Sequence, residues 1–369
     1  MKRIVLTGGG SGGHIFPLLA VAEALQDMRG DAVEVLYCGP MSPLVGEFAE
    51  RGIPVRSIMG SKIRRYASLV NIFEIPKFAV SVVQALVKLF VLMPDAVFSK
   101  GGPGAFAVVV AARFFRIPVV IHESDAVPGI TNRWSARFAA KIAVSFESSR
   151  AFFPAAKTQL TGNPVRAGLI RGILETREAK RILGFSPDEP LLVVLGGSQG
   201  AVRLNRFVFD NLETLLERTQ ILHQVGPANE KEGVSASAAL IGEVKKRYRV
   251  SGFLSFSELR NALAAADVVL SRAGSGAISE VAYFGKPAVL IPLPEAAGDH
   301  QRRNAYEYAE RGGAIVLEES NLGIHLVLDA VDSFLKNGEP ARKAARSFAN
   351  PAAAETVARI ILDLLQEER

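Results

Sequence analysis

The chain has 369 residues, 49% hydrophobic and 22% charged, which predicts two globular domains and excludes a disordered or fibrous protein. Its single cysteine, Cys38, excludes an intrachain disulfide framework and a cysteine-based metal site, and fits a reducing cytoplasm. Residues 1–161 hold 18 Lys and Arg against 11 Asp and Glu, while residues 162–369 hold 25 against 26, so an anionic partner (phosphorylated substrate, anionic membrane or nucleic acid) is expected on the first half.

Met1–Arg3 is basic, but the apolar run Ile4–Leu6 ends in glycines, too soon for a signal peptide. Arg3–Thr7 reads as a strand, Gly8–Gly13 as a loop, and Pro17–Met28 as a helix by its apolar spacing. Val33–Cys38 and Val55–Ile58 follow as strands. Ile72–Met93 is the most apolar long stretch. Glu74, Pro76, Lys77, Gln84 and Lys88 interrupt it, so a partly exposed helix is expected rather than a bilayer span. Asp95–Ser99, Val119–His122 and Lys141–Ser145 read as further strands, with helices between them. In the second half Leu191–Leu195 is a strand, a helix starts near Val202, and Val268–Ser271 and Ala288–Ile291 are later strands. Short apolar strands alternating with helices predict a parallel, doubly wound sheet in each half.

The halves also resemble each other. Asp95–Ala107 reads like Asp267–Ser279, and each continues through a helix to a similar strand, at Ile117–Val120 and Lys286–Val289. A boundary is expected near Gly162-Asn163-Pro164, giving domains 1–163 and 164–345. Residues 346–369 contain an amphipathic helix, Pro351–Leu365, expected to pack back on the first domain.

Chemistry concentrates in the glycine loops. Gly8-x-Gly10-x-x-Gly13 has the form of a dinucleotide fingerprint, because glycine lets backbone approach a phosphate at a helix N-terminus. The fingerprint also wants an acidic residue closing the second strand, and Val35–Pro40 has none; His14 stands where a P-loop needs lysine. At a helix N-terminus, His14 is kept neutral and basic, suited to take a proton from a hydroxyl; it also reads as a structural cap or anion contact. Gly101-Gly102-Pro103-Gly104 would make a phosphate cradle with the first loop. Lys100 lies beside it and reads most simply as an exposed surface lysine. In the second half, Ser198 in Gly196–Gly200 and the Arg272–Glu280 stretch form the matching pair. Glu280 suits ribose hydroxyls, or is an ordinary first-turn helix acid. Gln301 suits sugar hydroxyls, or is a solvent-facing residue at a helix start.

These motifs together resemble the bacterial MurG-type family, which transfers N-acetylglucosamine (GlcNAc) from UDP-GlcNAc to undecaprenyl-diphosphate-linked MurNAc-pentapeptide. The resemblance rests on Thr7–Pro17, His122-Glu123, Pro128-Gly129-x-Thr131-Asn132, Gly162–Arg166, Gly196–Gly200, Ser271–Glu280 and His300-Gln301-x-x-Asn304-Ala305. It implies an α/β GT-B fold, two Rossmann-like domains facing across a cleft, and an inverting transferase with no metal and no cofactor. The first domain would bind the acceptor and the second UDP-GlcNAc. His14 or Glu123 would be the catalytic base, and Gly10, Gly101, Gly102 and Gly104 would meet the acceptor pyrophosphate. Ser11, Gly12 and Gly13 would lie at the reaction centre against UDP-GlcNAc, and Asp125 would contact its sugar. Arg166 and Ser198 would meet the donor diphosphate, with Ser275, Gly276, Ala277, Ile278 and Ser279 serving its phosphates. Glu280 would take the ribose, His300 and Gln301 the GlcNAc, and Leu254 (with Phe253) or Phe256 the uracil. The family commonly has His-Glu-Gln-Asn where this chain has His122-Glu123-Ser124-Asp125. A lipid-linked acceptor implies peripheral attachment to an anionic membrane on its cytoplasmic face, and no nucleic acid. Two alternatives remain: a diacylglycerol glycosyltransferase and a UDP-GlcNAc 2-epimerase. A nucleotide-sugar sensor would not need a second glycine-rich domain.

Overall fold

The computed structural model describes residues 1–60, 70–102, 104–197 and 200–367. They form two compact units, residues 1–166 with 350–369, and residues 167–349. In the first unit the described residues form a parallel sheet of seven strands: β1 (Lys2–Thr7), β2 (Val33–Pro40), β3 (Val55–Ile58), β4 (Ala96–Ser99), β5 (Val119–Glu123), β6 (Lys141–Val144) and β7 (Thr158–Leu160). Their order is β3-β2-β1-β4-β5-β6-β7. The second unit has a six-stranded parallel sheet: β8 (Leu191–Leu195), β9 (Gln220–Gln224), β10 (Tyr248–Ser251), β11 (Val268–Ser271), β12 (Ala288–Leu290) and β13 (Ala314–Val316), in the order β10-β9-β8-β11-β12-β13. Each is a doubly wound Rossmann-like sheet.

Alternation explains why the sheets form. Ile4 and Leu6 point into one apolar layer with Val35, Tyr37, Phe98 and Val120, while Val5, Leu36, Cys38, Val97, Val119 and Ile121 point into the layer on the other face. Both faces of the sheet are covered, so its strands read as continuous apolar runs. The C-terminal helix Ala353–Glu367 covers part of the first face. Its Val357, Ile361, Leu362 and Leu365 are buried with Leu18, Leu25 and other residues of the Gly12–Arg29 helix. Each such side chain contributes about 1.5–3 kcal/mol on burial.

The internal repeat has a structural meaning. Asp95 accepts from Arg3 N at 2.7 Å and from Lys2 Nζ at 2.6 Å, while its own N–H donates to Arg3 O. Asp267 likewise accepts from Leu191 N at 2.8 Å and from Lys180 Nζ at 2.7 Å, and its N–H donates to Leu191 O. Each aspartate clamps the start of its sheet's first strand. The following prolines are equivalent too: Val97 N donates to Pro118 O, and Val269 N to Pro287 O.

The apolar stretch is a helix, Val70–Leu92. By length and composition Glu74–Leu92 is apolar enough to cross a membrane, with mean hydropathy 1.8, so its interrupting polar residues do not by themselves exclude a span as expected. Packing separates the faces. Ser81, Ala85, Leu89 and Leu92 are buried, three of them in the second apolar layer, whereas Val80, Val83, Val87, Phe90 and Val91 are exposed. The helix runs parallel to Ala105–Phe114, with Phe78 stacked on Phe106 near its start and Phe90 tilted against Phe115 near its end.

Candidate active site

In doubly wound sheets, ligands bind beyond the C-terminal strand ends where strand order reverses. That point lies between β1 and β4 in the first unit and between β8 and β11 in the second. All four glycine loops follow these four strands.

In the first unit the loops are tied together. Gly9 N donates to Gly101 O at 2.9 Å, and Lys100 N to Thr7 O at 2.9 Å. His14 lies between them: a Cβ on Gly9 would approach His14 Nδ1 to 3.0 Å, and one on Gly102, with φ +90°, would meet Gly9 backbone at 2.8 Å and His14 Nε2 at 3.4 Å. Glycine is therefore required here by the approach of one loop to the other and to the imidazole. Gly101 and Gly104 are also packing glycines, their Cβ positions blocked by Asn132 and Pro40, and both are buried. Gly101 N already donates to Ser99 Oγ. Of the four glycines expected at a pyrophosphate, Gly10 is exposed and Gly102 half-buried.

The helix after the first loop begins at Gly12, five residues earlier than its apolar spacing predicts. Its N-cap, Ser11, makes no side-chain cap bond, because Ser11 Oγ lies 2.8 Å from His14 Nδ1. The first-turn N–H groups of Gly12 and Gly13 therefore have no side-chain cap, and no acid occupies that turn. Desolvation between the loops, with the Lys100 charge behind it, pushes the half-buried His14 imidazole down to about 4, Asp125 acting the other way.

Glu123, the other candidate base, ends β5 and is buried. Oε1 accepts from Asp125 N at 3.0 Å; Oε2 accepts from Gly129 N and Asn132 Nδ2, both at 3.0 Å. Burial and the neighbouring Asp125 push its carboxyl up. Three donors fix it as the organiser of the 124–129 loop. His122 lies beneath, its Nε2 3.0 Å from Gly162 O, and burial pushes it well down. Arg166 places its guanidinium 3.8 Å over the ring of Phe16, in the first helix's opening turns.

In the second unit, Gly196 N donates to Gln224 O, and a Cβ on Gly200 would sit 2.2 Å from Val225 O. Ser198 lies outside the described residues. Beyond β11, the Ser275–Tyr283 helix has Gly274 as N-cap, no side-chain cap bond and no acid in its first turn. Nothing lies within 4 Å of a Cβ placed on Gly274 or Gly276. Glu280 is in the second turn, which removes the first-turn reading; it is half-buried and stands one turn behind Gly276 on the same face. Ile278 and Ser279 are buried, Ile278 N donating to Gly274 O at 3.0 Å and Ser279 Oγ to Ser275 O at 2.7 Å, so the uncapped N–H groups are those of the turn before them. Ser275 is buried and Ala277 half-buried.

Asn304, buried in the His300–Glu310 helix, donates from Nδ2 to Ala273 O and joins that helix to the loop after β11. At its start, Gln301 Oε1 accepts from Leu293 N, which fixes the amide, and His300 Nδ1 lies 2.9 Å from Ala297 O. Leu254 is a core residue at 5% exposure, Phe253 is exposed, and Phe256 is half-buried against Gly168. Of the three, Phe253 and Phe256 retain ring surface for a base. Sequence reading had no signal for the network around Arg272, which pairs with Glu319 and donates to Ile291 O beside that loop. Among the described residues no cluster of three His, Cys, Asp or Glu could hold a metal ion.

Known proteins resemble both units. The glycosyltransferase family 28 N-terminal domain matches residues 4–144, and its C-terminal domain residues 191–360. A Bacillus cereus relative named UDP-N-acetylglucosamine–N-acetylmuramyl-(pentapeptide) pyrophosphoryl-undecaprenol N-acetylglucosamine transferase 2 is 38% identical over 97% of this chain and 98% of its own. Acinetobacter baumannii MurG has a TM-score of 0.73 at 28% identity, covering 98% of this chain and all of its own. A UDP-GlcNAc 2-epimerase from Neisseria meningitidis, at 14% identity and TM-score 0.68 over all of both chains, shares the fold alone. Two family domains in order, and a relative matched almost end to end, place the chain in glycosyltransferase family 28, among the MurG-type N-acetylglucosamine transferases.

Proposed function

We propose that this chain is a UDP-GlcNAc-dependent glycosyltransferase that moves GlcNAc onto the MurNAc 4-hydroxyl of undecaprenyl-diphosphate-linked MurNAc-pentapeptide, converting lipid I to lipid II in peptidoglycan synthesis. The observation that carries the mechanism is His14, held neutral between two glycine loops at the first unit's switch point. With Nδ1–H donating to Ser11 Oγ, Nε2 presents its lone pair to the acceptor hydroxyl. As the proton moves to Nε2, the oxygen forms its bond to the anomeric carbon, the bond to the β-phosphate oxygen breaks on the opposite side, and α becomes β. UDP leaves with the electron pair, its charge met by the uncapped N-terminus of the Ser275–Tyr283 helix. That electrostatic help takes the place of a divalent ion.

Labelled GlcNAc should pass from UDP-GlcNAc to a lipid I analogue, with diacylglycerol failing to compete and EDTA leaving the rate unchanged. Preferred labelling of diacylglycerol would select the related lipid transferase. Formation of UDP-ManNAc from UDP-GlcNAc alone would select the epimerase, and activity lost to EDTA and restored by Mg²⁺ would overturn the metal-free step.

A polyprenyl-linked acceptor requires work at a bilayer surface. The Val70–Leu92 helix exposes Val80, Val83, Val87, Phe90 and Val91 along one side, with exposed Phe114 and the exposed cations Arg113 and Arg116 at the end of the neighbouring helix. The basic cluster Lys62, Arg64 and Arg65 lies outside the described residues. Shallow insertion of this apolar side, steered by basic residues worth about 1 kcal/mol each, gives peripheral attachment on the cytoplasmic face. Vesicle binding should need anionic lipid, weaken with salt, and drop several-fold in Arg64→Glu/Arg65→Glu and in Val87→Glu/Phe90→Glu. Equal binding to neutral vesicles at high salt would refute it.

A further inference from the structure

Lys100 has no place in the mechanism above. It follows β4 and precedes the second glycine loop, with its backbone N–H fixed to Thr7 O. The side chain is 2% exposed, and Nζ has no hydrogen-bond partner among the described residues. The charges facing it are Glu123 and Asp125 at the end of β5, and it acts in turn on His14 and His122. Neither carboxylate bonds it; the Glu123 oxygens are taken by Asp125 N, Gly129 N and Asn132 Nδ2. Other buried polar atoms also have no partner among the described residues: Thr7 Oγ1 and His122 Nδ1 near the ends of β1 and β5, and Asn132 Oδ1 in the Ile130–Ser135 helix.

A buried ammonium with no partner is costly, and desolvation accordingly pushes Lys100 down to about 8 against the two carboxylates. Most of it is still charged at neutral pH. Such a cation forms no hydrogen bond among the described residues, and it lies close enough to the uncapped start of the Gly12–Arg29 helix to act on His14 in its first turn, an arrangement suited to an anion.

We propose that Lys100 is the specificity-determining cation of the acceptor site: its ammonium takes a diphosphate oxygen and so selects a diphosphate-linked acceptor over a neutral lipid hydroxyl. The proposal rests on the acceptor reading above and names the residue that senses the acceptor's charge. Binding supplies the partner the folded chain withholds from Nζ, and the attraction weakens as pH rises through the lysine's range.

The test uses the full chain with Lys100→Met and Lys100→Gln, a lipid I analogue as acceptor, and inorganic pyrophosphate as binding probe. Wild type should bind pyrophosphate in competition with acceptor, less tightly above about pH 8. In both variants the acceptor KM should rise about tenfold or more, the scale of a lost charge-assisted hydrogen bond, and pyrophosphate affinity should fall in parallel and lose its pH dependence. Donor KM should move less than about twofold. The melting temperature without substrate should not fall, because the removed charge had no bond to lose. Unchanged acceptor KM and pyrophosphate affinity in both variants, with wild type active on lipid I, would overturn the proposal. So would equal losses for donor and acceptor with a lowered melting temperature, which mark a structural lysine. If wild type itself prefers a neutral acceptor, the acceptor reading fails first, before any substitution is made, and this proposal falls with it.

Discussion

His14→Ala should lower kcat by about 10²–10⁴-fold, the usual worth of general base catalysis, while the affinity for UDP-GlcNAc stays within about twofold of wild type. The split follows from where the residue stands. His14 belongs to the first unit, at its β1–β4 switch point, whereas the donor reading concerns the β8–β11 loops of the second. The pH profile offers a second check. Desolvation holds the imidazole at about 4, so the base is in its reactive form across the neutral range. The acid limb of kcat/KM should therefore fall well below pH 6.5, and activity should be lost only as protonation of Nε2 removes the accepting lone pair. Single-turnover measurements with saturating donor separate chemistry from release. Near-normal turnover in the alanine variant would remove His14 from the proton transfer. It would return the role to Glu123, at odds with the three N–H groups that already occupy that carboxylate.

How much of this was legible beforehand depended on burial. β3, β8 and β11 are read to the residue: β8 and β11 are buried throughout and leave short apolar runs, whereas β3 (VRSI) is an edge strand with Arg56 and Ser57 exposed, marked by Pro54 before it and Gly60 shortly after it. β9 escaped, although it is an interior strand. Its sequence QILHQ begins and ends in glutamine and carries His223, polar groups that the fold buries by pairing them: Gln220 Nε2 donates to Ser186 O, and His223 lies 3.1 Å from both Asn205 Oδ1 and Tyr248 Oη. β7, β10 and β13 escaped because each has only three or four residues and buries only the first of them, Thr158, Tyr248 and Ala314. The glycine loops announced the site, since only a close approach calls for so many glycines, but their division of labour did not show. Gly101 and Gly104 serve packing, while Gly10, Gly12 and Gly13 surround an uncapped helix start. Lys100 was the least legible. A lysine after a strand reads as solvated, and only the parallel order β1-β4-β5 encloses it between neighbours.

Replacing Glu280 with alanine should weaken UDP-GlcNAc binding by about 1.5–3 kcal/mol, roughly 10–150-fold, the scale of a charge-assisted hydrogen bond lost from a ligand. Its setting supports a ribose partner. In the Ser275–Tyr283 helix, Gly276 and Glu280 are four residues apart and share a face. Gly276 has nothing within 4 Å of its Cβ position, which leaves room for a ligand over the first turn. A diphosphate on the free N–H groups of that turn would bring the attached ribose back along the helix toward the Glu280 carboxylate, whose two oxygens can accept from both ribose hydroxyls. Glu280→Gln keeps an acceptor oxygen and should lose less than Glu280→Ala. Calorimetry with UDP and 2′-deoxy-UDP closes a double cycle between residue and ligand. Wild type should prefer UDP strongly, and Glu280→Ala should bind the two alike, since the group that reads the 2′-hydroxyl is gone. A variant that still discriminates between them as wild type does would take Glu280 away from the ribose, whatever its effect on total affinity.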